Sequence, residues 1–138
     1  MKTPLTAYAA TLMFFLAADM LWLGLLMTGQ YQAWIGPLMR EQPLLLPAAA
    51  FYLLYPAGLV VFAVLPALDK GSWQRCAALA AFFGLLAYGT YDLSNLATLK
   101  GWPWQLTLVD MLWGAALSTG AGLVGYLAAR AWGSVQRD

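Results

Sequence analysis

The sequence predicts an all-α fold: an integral membrane four-helix bundle with antiparallel neighbours and both termini in the cytoplasm. Three observations predict it. The first is composition. Of 138 residues, 62% belong to the apolar set AVILMFWYC and 9% are charged, with a mean hydropathy of +0.68, whereas soluble domains are about 45–50% apolar and about 25% charged. A chain this short buries only about two-thirds of the surface that its unfolded form exposes, so much of this apolar surface needs lipid. The second is four runs near residues 5–27, 47–65, 76–99 and 104–129, each close to the roughly 20 apolar residues that a bilayer core requires. They make a single transmembrane domain over residues 1–138. The third is charge placement. Lys2, Lys70, Arg75, Arg130 and Arg137 fall on the side of the termini, and only Arg40 and Lys100 on the other, which by the positive-inside bias puts both termini in the cytoplasm.

The first span runs from Leu5 to Met27. Lys2 and the pair Ala17-Ala18 give it the look of a signal peptide, but a secretory apolar region is only about 7–15 residues long, and this run is expected to stay as a membrane helix. The second span, Pro47 to Leu65, carries Tyr52, Tyr55 and Pro56. Proline lacks the amide that would have bonded the Tyr52 carbonyl, which is expected to seek another partner. A turn over Pro66 to Arg75 leads into the third span, Cys76 to Leu99, and Lys100-Gly101-Trp102-Pro103 links it tightly to the fourth, Trp104 to Ala129. On the fourth span Gly114, Ser118 and Gly122 form one four-residue row, and Ala121, Gly125 and Ala129 another. Small residues so spaced let helix backbones approach in lipid; a homodimer through these faces is a second use of the same pattern. Trp34, Trp102 and Trp104 mark the outer membrane boundary and Trp73 and Trp132 the inner one, where amphipathic rings favour headgroup depth.

Three carboxylates interrupt the apolar runs: Asp19, Asp92 and Asp110. Even mild scales set the cost of one at a helix centre at about 2.5–3.5 kcal/mol. Such groups persist when they face the bundle interior, a watered cavity or a cation, or carry a proton. Asp19 lies eight residues before Met27, Asp92 seven before Leu99, and Asp110 six after Trp104. At about 1.5 Å per residue, all three reach one layer roughly 9–12 Å below the outer boundary. Helical spacing adds Tyr88, Tyr91 and Asn95 beside Asp92, Trp22 beside Asp19, and Trp113 beside Asp110, while Tyr52 and Tyr55 come from the second span. The expected object is a cavity in the outer half, lined by these ten residues, with its mouth near Lys100, Trp102 and Arg40.

The stretch from Tyr91 to Pro103, YDLSNLATLKGWP, followed by Asp110-Met111-Leu112-Trp113-Gly114, resembles a bacterial family of predicted membrane proteins, domain-of-unknown-function family 2177 (DUF2177). Asp19-Met20-Leu21-Trp22-Leu23-Gly24 and Phe51-Tyr52-Leu53-Leu54-Tyr55 fit the same pattern, so the resemblance covers essentially the whole chain. It implies a small multi-pass protein of the bacterial inner membrane and names no substrate.

Composition also excludes functions. A net charge of +1 gives no basic field for nucleic acid. The absence of histidine removes the commonest general base and metal ligand, and a lone cysteine, Cys76, permits no internal disulfide. No nucleotide or phosphate loop is present, so no cofactor is expected; no metal site is marked either, although the carboxylates leave hard-cation coordination by oxygen ligands open. Three readings remain. The cavity binds or moves a cation, a proton or a small amphipathic ligand; or paired aspartates act as acid and base on a lipid or isoprenoid; or the acids pair with a basic residue on a partner helix.

Overall fold

The computed structural model describes residues 2–135; Arg137 and the side chain of Lys2, which entered the charge count, lie outside that description. Every regular element among the described residues is helical. Four helices are long and apolar enough to cross a membrane: Thr3–Leu26, Leu45–Lys70, Trp73–Thr98 and Trp104–Ser134. The first is α1 (Lys2–Leu21) extended by a π-helical turn, Trp22–Leu26. A short helix, α2 (Thr28–Ile35), and a 3-10 turn, Gly36–Leu38, occupy part of the segment expected to be loop. The second long helix joins α3 (Leu45–Leu59), a π-helical turn Val60–Val64 and α4 (Leu65–Lys70). α5 (Trp73–Thr98) and α6 (Trp104–Val135) complete the chain.

Two boundaries differ from expectation for physical reasons. The turn placed at Pro66 to Arg75 contracts to Gly71-Ser72. Pro66 sits just after the π-helical turn Val60–Val64, and the helix continues through it to Lys70. The stop comes at Gly71, whose φ of +62° ends α4 in the left-handed region that glycine enters without steric cost. Ser72 Oγ then accepts from the Arg75 amide at 3.1 Å and caps α5. In the second long helix, Pro56 does not end the helix. The carbonyl that gains an outside donor is that of Leu53, bonded by the Tyr8 hydroxyl at 2.9 Å, one residue beyond the Tyr52 carbonyl expected to need it.

The packing follows the small-residue spacing. Ala7, Thr11, Phe15 and Asp19 form the buried stripe of α1. Opposite them on α6, Gly125 lies against Thr11, Gly122 against Ala80 and Cys76, and Gly114 against the Tyr88 ring. Ser118, Ala121 and Ala129 are buried in the same rows. Both small-residue faces of the fourth span are therefore filled by helices of the same chain. One apolar cluster centres on Tyr126 with Val64, Ala67 and Cys76, and a second on Phe15, Tyr55, Leu59 and Leu117. Leu25, Leu45, Leu46, Leu54, Phe62 and Leu112 remain exposed. That much uncovered apolar surface suits a helix face in contact with lipid tails.

Candidate functional site

Asp19 sits near the end of the α1 stripe, 4% exposed. Its two oxygens take donors from two other helices: the Tyr52 hydroxyl of α3 donates to Oδ2 at 2.5 Å, and Trp113 Nε1 of α6 donates to Oδ1 at 3.1 Å. The carboxylate is thus a three-helix junction with both oxygens satisfied, and bonds to a charged acceptor are the stronger kind.

Asp110, 8% exposed, is served by a residue the sequence reading did not select. The π-helical turn after α1 closes with the Met27 amide on the Trp22 carbonyl at 2.9 Å, and Thr28 Oγ1 donates to the Leu23 carbonyl at 2.5 Å. The chain then turns into α2, which carries Tyr31 back over α6. Tyr31 donates its hydroxyl proton to Asp110 Oδ1 and accepts from Trp22 Nε1 at 3.2 Å. Burial, and then the bond to Asp110, hold the Tyr31 phenol well above the ordinary tyrosine range. The Trp22 ring stacks on Trp113, centroids 4.1 Å apart and planes within 5°. Trp22 and Trp113 thereby tie the Asp110 and Asp19 arrangements into one wall.

Asp92 differs from both. It is 0% exposed, and neither oxygen has a hydrogen-bond partner. Its acidic neighbour is Asp110, close enough for the two carboxyls to act on each other directly. The backbone at Asp92 is held: Thr107 Oγ1 donates to its carbonyl at 3.3 Å and itself accepts from Trp102 Nε1 at 3.1 Å.

Beside these groups lies a cavity of about 600 Å³. Asp19 and Asp110 belong to its lining, with the rings of Trp22, Trp113, Tyr52, Tyr55 and Tyr88. Tyr55 shares a 2.7 Å hydrogen bond with Ser118 Oγ. Tyr91 lines it too, but is 54% exposed and meets Trp102 edge-on, with ring centroids 5.7 Å apart. Thr28, Tyr31, Ile35 and Met39 form a further wall. Lys100, Trp102 and Arg40, expected at the mouth, are not in the lining, which includes Thr28, Tyr31, Ile35 and Met39 instead. Asp92 is buried and outside the lining. Asn95 is half-buried and outside the lining, one turn beyond Asp92.

Tyr31 falls in residues 28–46, between the first two spans, where no run is long and apolar enough to select it. A signal was present: Thr28, Tyr31 and Ile35 stand at i, i+3 and i+7, the spacing of one helix face. Among the described residues, no group of three or more acidic or cysteine side chains could hold a metal ion.

The family model described as "Predicted membrane protein (DUF2177)" matches residues 4–127. No curated protein matches the chain, and no solved structure does.

Proposed function

We propose, from the premise that the chain belongs to the DUF2177 family of predicted membrane proteins, that its cavity binds a small amphipathic cation and gives it a place within the membrane. The observation that carries this reading is the wall itself: aromatic rings around about 600 Å³, two carboxylates in the lining and no lysine or arginine among the lining residues. Ring faces attract cations, most strongly where water is excluded, and the apolar part of such a ligand gains from leaving water. The volume suits an organic ion of several carbon atoms better than a bare metal ion, which needs oxygen ligands packed around it. Asp19, with both oxygens taken inside the chain, has no need of a basic residue from a partner helix, which argues against the accessory-subunit reading at that position.

The same reading includes a direction. Neighbouring spans run antiparallel in a bacterial inner membrane, both termini in the cytoplasm, and the cavity opens toward the outer face beside α2. Its support is the distribution of Lys70, Arg75 and Arg130 against Arg40 and Lys100, with Trp73 and Trp132 exposed near the ends of their helices. Reporter fusions should place the segment 99–103 outside and the C-terminus inside. The opposite result would reverse the mouth of the cavity.

The binding claim is tested in detergent with tetraphenylphosphonium and, as a charge-inverted match in shape, tetraphenylborate. The phosphonium should raise the unfolding temperature, by about 2.7 kcal/mol of stabilisation at a hundredfold excess over Kd, and the borate should not. Equal stabilisation by both ions would mean that the carboxylates play no part in selection.

A further inference from the structure

Among the described residues, Asp92 is the one buried acid to which the chain gives no donor. Both of its oxygens are sealed from solvent and without a hydrogen-bond partner, yet the residue is fully enclosed and held beside a second carboxyl, Asp110, which lines the cavity. Segments 3–26, 45–65, 76–99 and 104–129 contain no lysine or arginine. Two adjacent carboxylates without a counter-ion repel each other in a medium that screens poorly, and a pair at such a distance keeps one proton rather than ionising fully. Asp110 is the member bound by a donor, the Tyr31 hydroxyl, so its ionised form is the one the chain supports. The proton then belongs on Asp92.

We infer that Asp92 and Asp110 hold one exchangeable proton, which leaves when a cation enters the cavity. The inference rests on the cation-binding reading above and adds the coupling of that site to protons. The balance is simple. The Asp92 O–H bond breaks, its electron pair stays on the carboxylate, the proton goes to water at the cavity mouth, and the incoming cation replaces it as counter-charge. Charge within the site is unchanged by the exchange. Other groups facing the pair are Asp19 of α1, Tyr31 of α2, and Tyr88 and Tyr91 of α5; Tyr52 of α3 faces Asp19. Asp19 is already served by two donors, and the tyrosines are neutral donors. None of them supplies the positive charge that would let both members of the pair ionise.

Two measurements on the full chain in detergent test this. Infrared spectra without ligand should contain the carbonyl band of a protonated carboxyl, absent from Asp92→Asn, and saturating tetraphenylphosphonium should remove the band. Binding of tetraphenylphosphonium should tighten about tenfold per pH unit across the range in which the pair is protonated, the slope of one proton released per ion bound. Asp92→Asn should bind with no pH slope in that range, while Asp69→Asn, an exposed acid outside the cavity lining, keeps it. A wild-type spectrum without the band, or a band that persists at saturation, overturns the inference and leaves the cation site standing. Failure of tetraphenylphosphonium to bind at any pH overturns the cation site itself, and the coupling with it.

Discussion

Gly84→Ala is expected to be the most damaging single methyl addition in the chain. A Cβ at Gly84 would run into the carbonyl oxygen of Gly114 and lie 2.5 Å from Ser118 Oγ. The first obstacle is backbone of α6, which moves only if the two helices separate. Ordinary overpacking costs about 1–3 kcal/mol; a collision with backbone belongs at or above the top of that range. Separation there would also disturb Ser118, the hydrogen-bond partner of Tyr55, and so reach the cavity wall. The control is Gly24→Ala, where nothing lies within 4 Å of the added carbon and the change should be neutral or slightly stabilising, since alanine loses less chain entropy than glycine. Thermal unfolding of both variants in one detergent is the measurement. Equal melting points would mean that α5 and α6 are not in contact at Gly84.

This contact shows how much of the fold could be read before any coordinates. The four-residue rows of small side chains on the fourth span pointed to close helix approach, and the approach is there. Spacing could not say which helix fills a row. A glycine row looks the same whether it meets Tyr88 of its own chain or a second copy, because the pattern records only that room is needed. Span positions were legible because hydropathy and length are tightly constrained by bilayer thickness. The ends were less so: Pro66 reads as a stop, yet the helix continues through it and ends at Gly71.

The site was legible in part for a similar reason. Charge inside an apolar run is costly, so Asp19, Asp92 and Asp110 stood out, and the structure sets Asp19 and Asp110 on the wall of one cavity with Asp92 beside Asp110. Their differing surroundings were not legible. Whether an acid finds a donor depends on residues far away in sequence, 79 positions for Tyr31 and Asp110 and 94 for Trp113 and Asp19. Asn95 shares the helical stripe of Asp92, but the cavity ends short of it, since α2 and Tyr31 close over the layer of Asp110.

The difference between the acids predicts that one substitution has opposite effects at two positions. Asp19→Asn replaces an acceptor of two donors with a group that offers one acceptor oxygen and two protons of its own. Either Tyr52 or Trp113 must then face an NH2 group instead of an oxygen. Leaving a buried donor unpaired costs about 1–3 kcal/mol, and the loss should appear as a lower melting point and a looser junction of α1, α3 and α6. Asp92→Asn deprives no donor of its acceptor, because no group donates to either oxygen. Its amide instead brings a permanent donor next to Asp110, the acceptor that Asp92 lies against. This variant should melt at or above the wild type at neutral pH, with no cation added. Had the acids been equivalent packing groups, the two variants would fall together; had Asp92 been the essential anchor, it would be the one to unfold. Only the ordering Asp92→Asn at or above wild type, and wild type above Asp19→Asn, agrees with one acid bound from two other helices and another kept without a partner beside its neighbour.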